Sequence, residues 1–190
     1  MRNIGLDDGG PRIAWALTGA GHFLSESVDI IGSLRGVAAD VFLSRAAVEV
    51  VAMYGLTGRL DDLASSVTAE TGHSFPITSK FSVGKYAALV ISPATSNTVA
   101  KCLCGIADSL ISCMYAQAGK SRVPICVLPT DIAPEMVSTA PNGNSVRVYP
   151  RQIDLEQTAK LRGTDGVTVV SSPAELQLWL ERSIKQGFFS

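Results

Sequence analysis

Four short apolar runs, each closed by small or hydroxyl-bearing residues and followed by a stretch with helical spacing, constrain this chain more than any other feature. RIAWAL, residues 12–17, ends at Thr18-Gly19-Ala20-Gly21. HFLSESVDIIGSLR then places Phe23, Val28, Ile31 and Leu34 on one helical face. ADVFLSRAAVEVVAMYG repeats the plan: Val41, Phe42 and Leu43 form a buried strand, Ser44 closes it, and the helix runs to about Tyr54 before Gly55. KYAALVISP is the third strand, followed by SNTVAKCLCGIADSLISCMYAQAG as one long helix with Gly119 as its C-cap. VPICVLPTD is the fourth strand.

The remaining segments are less regular. RLDDLASSV is expected to be helical and TGHSFPITS a connection. IAPEMVSTAPNGNSVRVYPRQ is rich in Pro, Asn, Ser and Gly and reads as a loop with a short strand at Val146 to Tyr149. GVTVV precedes Ser171-Ser172-Pro173, an N-cap with proline near the first helical position, and the helix AELQLWLERSIKQ. Strands alternating with helices predict an α/β fold: a Rossmann-like (flavodoxin-like) doubly wound parallel sheet in three α/β/α layers. At 190 residues the chain suits one domain, 1–190, with residues 1–11 a loose N-terminal tail.

Sixteen Lys and Arg nearly balance seventeen Asp and Glu, so no long-range field points to nucleic acid or an anionic membrane. No apolar run approaches the roughly 20 residues of a membrane span. The partner is expected to be a small molecule or another subunit. Hydrophobic residues make up 46% of the chain and charged residues 17%, which either subunit contacts or an alanine-rich core would explain. Cys102, Cys104, Cys113 and Cys126 lie in or beside apolar runs and read as reduced thiols of a cytoplasmic protein. Cys102 and Cys104, two apart on a helix, face away from each other, and His22 and His73 are the only histidines, so no metal site is expected.

In a doubly wound sheet, ligands bind outside the carboxyl ends of the strands, where helix N-termini present free N–H groups. Thr18 to Gly21, Ser44, Pro93 to Thr98, and Pro129 to Asp131 should therefore converge on one cleft. Gly19-Ala20-Gly21 allows close backbone approach to a phosphate, but Leu24 stands where a dinucleotide fingerprint needs its third glycine. Ser44 suits either a phosphate contact or a helix cap. Thr95, Ser96, Asn97 and Thr98 offer hydroxyls, an amide and helix-start N–H groups, and a cap needs only one of them. Such a site, without metal ligands, carboxylate pair or nucleophile–base pair, suits a cofactor that brings its own chemistry, and FMN fits.

SPATSNTVAKCLCGIADSL resembles the Pro-Ala-Ser-Ala-Asn-Thr motif, with its downstream Gly-Ile-Ala-Asp, of the homo-oligomeric flavin-containing Cys decarboxylase superfamily, which also includes the flavin prenyltransferases. TGAGH is similar to the family's first FMN-phosphate turn, LSRAA to its second strand end and LPTD to its position after the next strand. KFSVGKYAALVISPATSNTVAKCLCGIADSLI, with RQIDLEQTAKLRGTDGVTVVSSPAEL, most resembles the archaeal-type branch of archaeoflavoproteins and dihydromethanopterin reductases.

The resemblance implies an FMN-dependent oxidoreductase that reduces dihydromethanopterin to tetrahydromethanopterin. It implies that Gly19, Ala20, Gly21 and Ser44 hold the phosphate side and that Thr95, Ser96, Asn97 and Thr98 face the ribityl chain and ring, with Thr18, His22, Pro93, Ala94 and Asp108 completing the cofactor site. Asn97 and Asp131 are the candidate catalytic residues. NAD(P)H or another reduced carrier would supply electrons, and a trimer-based homo-oligomer, up to a dodecamer, is the expected assembly. The decarboxylases' histidine before the motif strand is absent from SKFSVGKYAA, and Pro129-Thr130-Asp131 replaces their Pro-Met-Asn, so a decarboxylase or prenyltransferase is the rival, beside a non-catalytic flavin electron carrier. His22 suits phosphate, flavin or solvent; Lys80 and Lys85 an anionic substrate or the surface; Tyr149 and Arg151 a flat ring or a subunit interface.

Overall fold

The computed structural model describes residues 10–72 and 76–185, and its order of elements follows from the apolar runs. β1 (Arg12–Leu17), β2 (Ala38–Leu43), β3 (Ser66–Ala69), β4 (Ala88–Ala94) and β5 (Ile125–Pro129) are joined in one sheet by the last strand of the chain, β8 (Val167–Val169). Their order is β3-β2-β1-β4-β5-β8 and every pairing is parallel. The expected three-layer doubly wound fold is present, with its direction of winding reversing between β1 and β4.

Strands covered on both faces must be apolar at every position, which is why they read as runs. Ile13, Trp15 and Leu17 of β1 pack with Val41 and Val90 against α1 (Leu24–Ser33), α2 (Arg45–Met53), α3 (Thr57–Leu63) and α7 (Pro173–Lys185). Ala14 and Ala16 point the other way, with Phe42, Leu89 and Ile91, against α4 (Ser96–Cys104), α5 (Leu110–Lys120) and α6 (Gln152–Leu161).

Four expectations are corrected and one helix is added. The long helix is two: Gly105, in the left-handed region at φ 70°, ends α4, and Ser109 caps α5 anew. Gly119 lies inside α5, and Arg122 takes the positive φ beyond it. RLDDLASSV is helical only to Leu63, because Ser66 and Val67 enter the edge strand β3. The late loop holds a hairpin of β6 (Met136–Thr139) and β7 (Ser145–Val148) rather than one strand. α6, unassigned from sequence, follows it. The expected loose tail lies mostly outside the described residues, as does His73; Pro11, at its end, already accepts the Ala38 N–H at 3.0 Å. Among the described residues no helix is long and apolar enough to cross a membrane.

Side chains secure both ends of the central strands. Near their starts, Asp40 of β2 is only 4% exposed and accepts from Arg12 Nη1 at 2.7 Å, Ser66 Oγ at 2.9 Å and Tyr86 Oη at 2.9 Å. One carboxylate thus joins β1, β2, β3 and the approach to β4. At the other end the β1–β4 register runs only to the Ala16–Ile91 pair, and the β4–β5 register shifts between Ile91 and Ala94, around a cis Ser92–Pro93 peptide. There Trp15 Nε1 donates to the Ser92 carbonyl at 2.9 Å. Thr18 Oγ1 donates to the Pro93 carbonyl at 2.8 Å and accepts from the Thr95 N–H at 2.8 Å.

Asp40→Ala should lower unfolding stability in urea by about 3 kcal/mol, the scale for breaking a buried ion pair. Tyr86→Phe, which keeps the packing, should cost about 1 kcal/mol. Thr18→Val, nearly isosteric, should cost about 2 kcal/mol because the Thr95 N–H loses its acceptor, while the Pro93 carbonyl keeps only the Thr18 N–H; Thr18→Ser should restore most of it.

Candidate functional site

The carboxyl ends of β1, β2, β3 and β4 surround a cleft of about 470 Å³, within the size range of small-molecule sites. Thr18 and Gly19 form one wall, and Ser44, Arg45 and Ala46 at the start of α2 form another. Thr95, Asn97 and Thr98 come from the first turn of α4, and Asp108 and Ser109 from the entry to α5. Seven of the candidate residues, Thr18, Gly19, Ser44, Thr95, Asn97, Thr98 and Asp108, are thus brought together.

Local geometry explains why small residues stand here. A Cβ on Gly19 would lie 2.4 Å from the Ala46 Cβ, so glycine alone lets the turn after β1 press against the first turn of α2. Ser44 Oγ accepts the Ala47 N–H at 3.1 Å, and Thr95 Oγ1 accepts the Thr98 N–H at 3.4 Å, so both residues cap their helices. The remaining first-turn N–H groups of two helices border the cleft, an arrangement that favours an anionic or hydrogen-bond-accepting ligand.

The other candidates fall outside this cleft. Ala94 is fully buried in β4, and Pro93 contributes its carbonyl to Thr18. Gly21 and His22 line a second hollow of about 380 Å³, between the start of α1 and the β6–β7 hairpin. A Cβ on Gly21 would meet the Tyr54 ring and hydroxyl, and that hydroxyl donates to the Thr139 carbonyl at 2.7 Å, tethering the hairpin. Ala20 is held in the turn by its N–H, which donates to the Thr18 carbonyl at 2.8 Å. Ser96 Oγ donates to Asp131, so the candidate acid after β5 meets the α4 terminus.

Electrostatics differ between the two sides. Asp131 is half-buried, and desolvation, helped by Asp154, holds its carboxyl above the ordinary carboxylate range, while Thr130, His22 and Arg151 pull the other way. Burial lowers the nearby His22 imidazole, against the carboxylates of Glu26 and Asp131. The Arg151 guanidinium grips Asp154 through Nε and Nη2 at 2.9 and 2.7 Å, fixing the first turn of α6. Tyr149 is 66% exposed beside the hairpin. In the cleft, Lys101 Nζ meets Asp108 Oδ1 at 2.7 Å, which holds the Asp108 carboxyl below its usual value.

The sequence did not single out Arg45, Glu70, Lys101 or Ser109, all of which line the cleft. Glu70 directly follows β3, so the rule that marked other strand ends would have found it had β3 been recognised. Ser109 comes into view only once the long helix is split, while Lys101 stands one turn after Asn97 on α4. Burial pushes the Cys102 thiol up to about 12 and raises Cys126 further, so neither is a nucleophile. Among the described residues no group of three or more His, Cys, Asp or Glu could hold a metal ion.

Comparison with known proteins agrees with this architecture. The chain is 41% identical over 141 residues to a dihydromethanopterin reductase (acceptor) of Methanosarcina mazei, covering 68% of this chain and 59% of that one. It is 42% identical over 139 residues to a protein of the same name from Methanocaldococcus jannaschii, covering 67% of this chain and 56% of the relative. The chain thus spans less than two thirds of both relatives. The crystal structure of Burkholderia xenovorans DmrB in complex with FMN, described as a cubic protein cage for redox transfer, superposes with a TM-score of 0.85 at 38% identity, over 94% of this chain and 98% of that one. The Flavoprotein family profile matches residues 2–187, nearly the whole chain, and with the sheet order and strand-end cleft described above the chain belongs to the Flavoprotein family.

Proposed function

We propose that the chain binds FMN and uses it to reduce a pterin, dihydromethanopterin to tetrahydromethanopterin. The observation that carries this reading is the cleft itself, where hydroxyls, one amide and the N-termini of α2 and α4 meet beside Arg45, Glu70, Lys101 and Asp108, with no metal-ligand cluster among the described residues. That donor set fits a ring with neutral N and O edges joined to a phosphate. The close approach of Gly19 to Ala46 fits a backbone cradle for the phosphate end. The kinship with DmrB, crystallised with FMN, and with the two archaeal reductases supports the cofactor and the substrate class.

Bound FMN would supply the two-electron chemistry, and NAD(P)H or another reduced carrier would replenish it. Thr18, Gly19 and Ser44, which line the cleft, are assigned to the phosphate side, whereas Gly21 and His22 stand in the hollow beside the hairpin. Thr95, Ser96, Asn97 and Thr98 are assigned to the ribityl chain and ring. Asn97, on the first turn of α4, orients the pterin through its amide. Reduction of the pterin C=N bond needs a hydride at carbon and a proton at the neighbouring nitrogen. Asp131 is the proton donor in our reading: its raised carboxyl keeps a proton at a higher pH than an ordinary aspartate does, and Ser96 holds it in place. We further place the chain in a homo-oligomer, supported by the cage of DmrB and by the exposure of Val137, Val146, Tyr149 and Leu178.

The test is an anaerobic absorbance measurement on purified protein. The flavin band should bleach on reduction and return only when dihydromethanopterin is added. A bound flavin indifferent to the pterin would move the reading to an electron carrier or decarboxylase, and failure to bind flavin on reconstitution would sink it.

Protonated Asp131 is the active form, so pterin-dependent reoxidation should slow as pH rises through its elevated pKa. Asp131→Asn should lower the rate about 100-fold, the lower end of general-acid effects, and flatten that limb of the pH profile.

A further inference from the structure

We propose that Glu70 sets how tightly the cleft holds the phosphate end of its cofactor, because its carboxylate competes with that phosphate for the amino terminus of α2. The inference rests on the FMN reading above.

Glu70 is the first residue beyond β3, and its own N–H donates to the Leu43 carbonyl at 2.9 Å, continuing the pairing with β2. The backbone is therefore held by the sheet, and the half-buried side chain reaches the start of α2. There its Oε2 accepts the Arg45 N–H at 3.4 Å. Ser44 Oγ on the same terminus is engaged by the Ala47 N–H, and the turn at Gly19 presses on Ala46 from the other side. The carboxylate thus shares a helix terminus with the residues assigned to the phosphate.

Helix N-termini favour negative charge, and one terminus has few donors to divide between two anions. Lys101, a second cation of the cleft, is occupied by Asp108. A phosphate brought to α2 must displace Glu70 or tolerate it at short range, where like charges repel appreciably even through partly aqueous surroundings. Riboflavin has the same ring and ribityl chain but no phosphate, so it escapes this opposition. Glu70 therefore narrows the preference of the cleft for FMN over riboflavin and keeps the cofactor exchangeable.

The experiment compares wild-type, Glu70→Gln and Glu70→Asp proteins, each the full chain stripped of flavin and checked for unchanged thermal unfolding. FMN and riboflavin are titrated separately, with binding read by quenching of flavin fluorescence at low and high salt. Glu70→Gln should bind FMN about tenfold more tightly and riboflavin within about twofold of wild type, with the FMN gain shrinking as salt screens the charges. Glu70→Asp, which keeps the charge, should stay closer to wild type than Glu70→Gln does. Unchanged or weaker FMN binding by Glu70→Gln, or an equal gain for both flavins, would overturn the proposal. Wild-type protein that binds neither flavin would overturn the FMN reading and this inference with it.

Discussion

The junction between β1 and β4 is the constraint on which the rest of the molecule depends. The helices after these strands leave on opposite faces of the sheet, so the strand ends part and their backbone groups lose ladder partners. Buried N–H and C=O groups cannot be left without partners. Trp15, Thr18 and Ser27 supply them, binding the Ser92 carbonyl, the Pro93 carbonyl with the Thr95 N–H, and the Ser92 hydroxyl. Among the described residues every buried side-chain polar atom has a hydrogen-bond partner. The splice thus holds the two strand ends apart at fixed geometry, and the cleft is the space that results.

The two ends of the sheet treat polar groups in opposite ways. At the starts of the strands Asp40 is buried and surrounded by three donors, so its charge serves the register of four segments. At the carboxyl ends Ser44, Thr95, Asn97 and Asp131 remain partly accessible. Two of them cap helices, and their neighbours leave first-turn N–H groups at the cleft. Both ends are tied by side chains, but only the carboxyl ends leave hydrogen-bonding groups open at a cleft.

The legibility of each element follows from its burial. β1, β2, β4 and β5 lie inside the sheet and had to be continuous apolar runs, which any reader of the chain meets first. β3, four residues of partly exposed edge, carries Ser66 and Thr68 and has no such signature. α6 buries only Asp154, Thr158 and Leu161 among its residues, too little apolar periodicity to register. The split is not evident from apolar spacing because both halves of the long stretch are helical in composition, and only the short link from Gly105 to the Ser109 cap separates them. Among the cleft-lining residues, those at the ends of the apolar strands are legible from the chain, whereas Glu70 depends on the edge strand β3 and Ser109 on the break after α4.

By itself the sequence determined the α/β class, the strand ends that meet at the cleft, the glycine turn, and the hydroxyl-amide cluster with its kinship to flavin-binding proteins. These are local properties: apolar runs, caps and turns are written in consecutive residues. Only the tertiary structure decided that Thr18 bonds across to Thr95, that Gly21 and His22 face the hairpin side rather than the main cleft, and that Glu70 meets the start of α2. Those pairings span 77 residues for Thr18 and Thr95 and 25 for Arg45 and Glu70. Parallel sheets bring such distant residues together through crossovers, and no local spacing in the chain encodes which strand ends will become neighbours.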